Sequence, residues 1–161
     1  MEYPWKRFWS LRTGRLIMEP SGFLLDPDGP HGNALNPDVK SFSDINAMPC
    51  LVLLGEPGIG KSTAVRRAIR DTTPNHLHFV DLKDHGSEDR FVRTIFEGPW
   101  WQAWRQGDTH LTVFFDSLDE GLMRLLHFAR VISAGLRDNT DTSQLKRISV
   151  RIACRTSRPG P

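Results

Sequence analysis

The chain has 161 residues, of which 39% are hydrophobic and 25% charged, an ordinary globular composition with enough length for a hydrophobic core. A net charge of +2 supplies no bulk electrostatic attraction for nucleic acid or an anionic membrane. No apolar run approaches the ~20 residues a membrane helix needs, and Trp5, Phe8 and Trp9 interleave with Lys6 and Arg7 where a signal peptide would be continuously apolar. The expectation is a cytoplasmic protein with no membrane partner and no direct nucleic-acid partner. Two cysteines, Cys50 and Cys154, are too few for a disulfide framework. Both fall in apolar runs and read as buried free thiols acting as small core hydrophobes.

Residues 1–45 form an N-terminal extension rich in turn formers. Within it, 15–19 and 23–26 read as two short strands of a hairpin around Pro20-Ser21-Gly22. A Pro/Gly-rich loop follows, from Asp26-Pro27-Asp28-Gly29-Pro30 to Asn36-Pro37-Asp38. The pattern then changes over 46–161. Cys50–Leu54, 78–82, 111–115 and Ile148–Cys154 are short apolar runs of the kind found in parallel strands buried on both faces. Helical spacing separates them. The segment 61–70 puts Ala64, Val65, Ala68 and Ile69 on one side and Arg66, Arg67 and Arg70 on the other, and Glu88–Phe96 and 121–136 also carry apolar residues at helical spacing. Strand alternating with helix predicts an α/β domain with right-handed crossovers. Trp100, Trp101 and Trp104 lie between the second and third strands, where a helix would group Trp100 with Trp104. With no basic cluster beside them, packing is expected rather than base stacking.

Gly55-Glu56-Pro57-Gly58-Ile59-Gly60-Lys61-Ser62 fits the phosphate-loop pattern G-x-x-x-x-G-K-[ST]. Holding a phosphate chain requires several backbone N–H groups aimed at one point. Gly55, Gly58 and Gly60 permit the necessary backbone angles and keep Cβ atoms out of the way. The helix opening near Lys61 adds free N–H groups and the positive end of its dipole. Lys61 is expected to reach the β- and γ-phosphates, Ser62 to ligate Mg²⁺, and Thr63 to contact the α-phosphate. The strand before the loop and the amphipathic helix after it are the context this motif demands.

The second constellation is Leu111-Thr112-Val113-Phe114-Phe115-Asp116-Ser117-Leu118-Asp119-Glu120. An apolar strand ending in Asp gives a phosphate-loop protein its other magnesium position. Asp116 is therefore the second expected metal residue, placed at the carboxyl end of a strand where ligands bind in such sheets. Asp119 and Glu120 lie just beyond and are expected to polarise an attacking water.

Asp116-Ser117-Leu118-Asp119-Glu120, an Asp, a tiny residue, an apolar residue and an acidic pair, resembles the magnesium motif of NACHT NTPases within the STAND class of signalling ATPases. Ile148–Cys154 followed by Arg155-Thr156-Ser157-Arg158-Pro159 is similar to that family's fourth strand and sensor segment. The register as a whole looks most like large bacterial members, some of which act in antiphage defence, and the resemblance spans about residues 45–161. It implies a P-loop NTPase three-layer sandwich whose parallel sheet is ordered 5-1-4-3-2, with strands one to four supplied here as 1-4-3-2 and the fifth missing. It also implies ATP and Mg²⁺ as ligands, self-association of the full-length protein, and a nucleotide-driven switch between inactive and signalling forms. The fourth strand would bring a cation beside the γ-phosphate: Arg155 if the strand ends at Cys154, Arg158 if Thr156-Ser157-Arg158-Pro159 is the aligned unit.

Two other classes compete with a regulatory ATPase. One is a non-catalytic nucleotide-binding fragment; the other is a P-loop kinase of unknown acceptor, although no acceptor site follows the phosphate loop. No N-K-x-D segment for reading guanine occurs. The sequence stops shortly after the fourth strand, so truncation of the domain at its C-terminus, and weak or absent turnover by this piece alone, are expected.

Overall fold

A computed structural model describes residues 6–72, 77–116, 118 and 125–155, with side-chain placement for all of these except 68–72 and 125–126. The chain divides into two compact units, Met1–Ala47 and Met48–Pro161.

In the first unit β1 (Phe8–Ser10) pairs antiparallel with β2 (Val39–Ser41), Trp9 opposite Lys40. Strands of three residues are too short to display alternation, and the sequence pattern gives no sign of this pairing. The short helices α1 (Gly32–Leu35) and α2 (Phe42–Ile45) flank β2. Ser41 caps α2 reciprocally with Asp44, and Phe42 packs edge-on against Trp9 at 6.0 Å. Asn36 is fully buried, and its amide is satisfied by both backbone groups of Ile17, at 2.8 and 3.1 Å. The expected hairpin around Pro20-Ser21-Gly22 is reduced to a turn, with Glu19 N–H on Phe23 O, Gly22 N–H on Glu19 O and one antiparallel bridge, Met18 to Leu24. Leu16, Ile17, Met18 and Phe23 are exposed. Without a buried face a longer ladder gains too little to form.

The second unit is α/β. Among the described residues its four strands, β3 (Cys50–Leu54), β4 (Leu77–Asp81), β5 (Leu111–Asp116) and β6 (Ile148–Cys154), are all parallel and lie in the order β3-β6-β5-β4. Counted in chain order this is 1-4-3-2. The last strand sits between the first and third, as the resemblance implies. The connecting helices are α3 (Lys61–Thr72), α4 (Glu88–Phe96), α5 (Pro99–Gln106), α6 (Leu125–Asn139) and the short α7 (Thr142–Leu145). Their caps are legible locally. The Ser87 hydroxyl caps α4, Pro99 opens α5, and Asp141 with Gln144 forms a capping box on α7.

Residues on one rung of a parallel ladder share a face. Leu51, Arg151, Phe114 and Phe79 form one such rung. The rings of Phe79 and Phe114 lie 5.1 Å apart, and the Arg66 guanidinium of α3 stands 4.4 Å from the Phe79 ring centre. So α3 covers this face. The opposite face carries Val80, Val113, Phe115, Val150 and Ile152, packed against Phe91, Ile95 and Phe96 of α4, Trp101 and Trp104 of α5, and Phe128 and Ile132 of α6. Helix, sheet and helix make three layers.

Several expectations change. Trp101 and Trp104, three apart, are the buried pair, 4.9 Å between ring centres, and not Trp100 with Trp104. Trp100 stacks on His78 at 3.7 Å and 11°, so the packing role holds with a different partner set. Cys50 is exposed and Cys154 half-buried, both as free thiols. The apolar run of β3 is not buried on both sides, with Val52 40% exposed, although its place at the edge of this sheet agrees with the expected order 1-4-3-2. The second strand runs from Leu77 to Asp81, with Leu82 opening a 3₁₀ turn, and the helix expected over 121–136 is described from Leu125 to Asn139.

Candidate functional site

The candidate residues that the structure describes lie at the carboxyl ends of the strands. β3 runs directly into the loop Gly55 to Gly60, and α3 begins at Lys61. Gly58 and Gly60 have φ of 76° and 92°, the left-handed region that side chains with a Cβ avoid. Gly55 has a different reason: a Cβ there would come within 3.3 Å of the Ile59 side chain and 3.6 Å of Lys61 Cδ. Glu56, Pro57, Gly58, Ile59 and Thr63 are exposed, while Gly55, Gly60, Lys61 and Ser62 are half-buried. The first internal bond of α3 runs from Ala64 N–H to Gly60 O. The amides of Gly60, Lys61, Ser62 and Thr63 are thus the helix's opening donors, which have no acceptor within the helix. The Lys61 ammonium donates to Gly55 O at 2.5 Å and Glu56 O at 3.1 Å, which folds its charge over the loop.

Asp116 closes β5. The Ser62 hydroxyl donates to Asp116 Oδ2 at 2.7 Å, joining residues 54 positions apart. β6, lying between β3 and β5, anchors both loops: Cys154 O accepts from Gly55 N–H at 3.3 Å, and Ala153 O accepts from Leu118 N–H at 3.4 Å. Leu118 is buried and fixes the start of the turn after Asp116. Arg155, exposed, is the first residue beyond β6, at the same end of the sheet. Asp119, Glu120 and Arg158 lie outside the described residues.

The donor set suits a hard divalent cation. A hydroxyl and a carboxylate oxygen meet beside a cradle of amides, and hard cations take oxygen ligands. Among the described residues no three His, Cys, Asp or Glu side chains gather to form a metal cage. An ion at Ser62 and Asp116 would therefore complete its coordination with phosphate and water, as magnesium commonly does. Mid-strand, Arg151 is 1% exposed, donates to Val150 O at 3.0 Å, and has its pKa lowered by burial.

One residue of this end of the sheet escaped the sequence reading. Asp81 closes β4 and sits on the same rung as Asp116. The signal was present, since Leu77–Asp81 is also an apolar strand ending in Asp. The expected strand ran on to Leu82 and hid Asp81 within it.

No helix among the described residues is long and apolar enough to cross a membrane. Neither a protein-family model nor a curated protein matches this sequence, so the reading of the site rests on its residues and their placement.

Proposed function

We propose that this chain binds a nucleoside triphosphate, ATP with Mg²⁺, in the loop from Gly55 to Thr63, as part of a NACHT-type regulatory ATPase of the STAND class. The observation that carries the reading is the 2.7 Å bond between Ser62 and Asp116. Two motifs far apart in sequence, each suggestive alone, bring the two oxygens a nucleotide-bound magnesium needs to one point. The loop amides and the start of α3 receive the phosphate chain. Lys61 exchanges its two carbonyl partners for the terminal phosphates. Bound magnesium would neutralise phosphate charge between Ser62 and Asp116.

In this reading Asp119 and Glu120 orient the attacking water, and Arg155 or Arg158 senses the γ-phosphate. Hydrolysis then switches a signalling or antiphage-defence assembly whose other parts lie elsewhere in the full-length protein, which self-associates. The exposed position of Arg155 directly after β6 supports its place in the sensor segment.

Thermal unfolding with and without Mg-ATP tests the proposal. ATP at ~100 times its dissociation constant stabilises a binding-competent chain by about 2.7 kcal/mol, and Lys61→Ala abolishes that gain while leaving the fold intact. Equal shifts for both proteins, or none for the wild type, would overturn it. Phosphate release from ATP and GTP, with and without candidate acceptors, separates hydrolysis from phosphoryl transfer.

A further inference from the structure

We propose that Asp81 is a second carboxylate of the magnesium site, holding water molecules of an ion that Ser62 and Asp116 ligate directly. This rests on the nucleotide reading above and adds a residue to it. Asp81 and Asp116 are rung partners at the carboxyl ends of adjacent parallel strands, where neighbouring strands run about 4.8 Å apart. Two residues earlier on the same strands, and hence on the same face, the Phe79 and Phe114 rings lie side by side at 5.1 Å. That face is the one α3 covers, and from α3 Ser62 reaches Asp116. Asp81 is thus one strand away from the metal pair, on the metal's side of the sheet.

Its carboxylate is also oriented. Asp81 Oδ1 accepts from Lys83 N–H at 3.1 Å, capping the 3₁₀ turn Leu82–Asp84. A carboxylate has about four lone-pair sites, so a single backbone bond leaves acceptor capacity for more. Magnesium gives up its waters reluctantly and keeps several of them, and carboxylates fixed in the outer shell accept their hydrogens. Removing such a partner typically costs 10–100-fold in metal affinity. Asp81 is a positioning residue here, since it reaches the ion through water.

Capping and metal-holding can be separated, because Asn caps as well as Asp while lacking the charge. The experiment is calorimetric titration of ATP into the full chain over a series of magnesium concentrations and in EDTA, for wild type, Asp81→Asn, Asp81→Ser and Asp116→Asn. Asp81→Asn is expected to melt with the wild type and to need roughly ten times more magnesium for half-maximal enhancement of ATP binding. Its ATP affinity in EDTA should be equal or tighter, since a negative charge near the phosphates is gone. Asp81→Ser, which also caps, should follow it. A magnesium requirement unchanged in Asp81→Asn while Asp116→Asn loses it would overturn the role of Asp81 alone. Equal weakening with and without magnesium would make Asp81 purely structural. A wild type that ignores magnesium or ATP would overturn the nucleotide reading itself.

Discussion

Beneath α4, α5 and α6 the sheet presents Val80, Val113, Phe115, Val150 and Ile152 to a layer of aromatic rings. Beneath α3 it presents Phe79, Phe114 and Arg151, and Asp81 and Asp116 where the strands end. The first face is a continuous apolar contact, and its energetics are those of burial, with roughly 1.5–3 kcal/mol for each large side chain taken fully out of water. The second face gives up part of that gain to carry charge. A buried guanidinium whose pKa is pushed down by desolvation costs stability where an aliphatic side chain would add it. The difference shows how a small α/β unit divides its labour: one face supplies the stability that lets the other hold polar groups in fixed positions.

That division can be broken most severely at Trp101, which is fully buried between Phe96 and Trp104. Trp101→Ala is expected to cost about 3–5 kcal/mol in urea unfolding while leaving the ATP affinity of the folded fraction unchanged. A comparable loss of affinity would show that the two faces are coupled. Overfilling the same face should do less. A Cβ on Gly135 of α6 would overlap the Phe96 ring, so Gly135→Ala is expected to destabilise by about 1–3 kcal/mol. Phe96→Leu added to Gly135→Ala should recover part of this in a double-mutant cycle.

On the α3 side, Gly58 has φ of 76° and no atom within 4 Å of where its Cβ would stand. Gly58→Ala therefore meets only backbone strain, on the order of 1–2 kcal/mol. Its larger effect should be on ATP binding, so the ratio of affinity lost to stability lost should be the reverse of that for Trp101→Ala.

The smallest effect expected is that of pH. His78 stacks on Trp100, and His85 meets the Phe91 ring edge-on at 5.4 Å. Burial lowers the pKa of both below the ordinary histidine value. Between the folded and unfolded pKa values the unfolded chain binds protons that the folded chain does not, so stability rises with pH there. The contribution is therefore complete above about pH 6.5 and is lost as pH falls below it. His78→Phe, which keeps a stacked ring without a titrating group, should flatten the pH profile of the unfolding midpoint between about pH 7 and 5.

What could be read in the sequence follows from the range of the interactions involved. The glycine loop 55–60, its flanking strand and α3 are local, and 55–62 could be read residue by residue because glycine at Gly58 and Gly60 answers a backbone requirement. Asp116 was legible for the same reason: a strand and its terminal carboxylate are contiguous. Asp81 was not singled out, since its meaning comes from the strand beside it and adjacency across a sheet is not a local property. Cys50 was misplaced on similar grounds. An apolar run reveals that a strand exists, while its exposure depends on being at an edge. The three tryptophans carried helical spacing, but which of them faced inward was decided by the sheet beneath α5. The β1–β2 pairing, between strands of three residues, left no periodic trace at all.

β6 is the latest in sequence of the four parallel strands among the described residues and yet lies between the earliest and β5. Its pairing with β3 joins Cys50 to Val150, whereas the β4–β5 pairing joins Leu77 to Thr112. Closing a long loop costs more entropy, and contacts between distant residues slow folding. During synthesis, β4 and β5 can zip together before β6 has emerged, leaving β3 without its neighbour. The carbonyls that tether Gly55 and Leu118 both belong to β6. The connectivity thus ties the two halves together: β6 brings Val150 and Ile152 to the hydrophobic face and the carbonyls that tether Gly55 and Leu118 to the other end, so neither is complete until β6 enters the gap between β3 and β5.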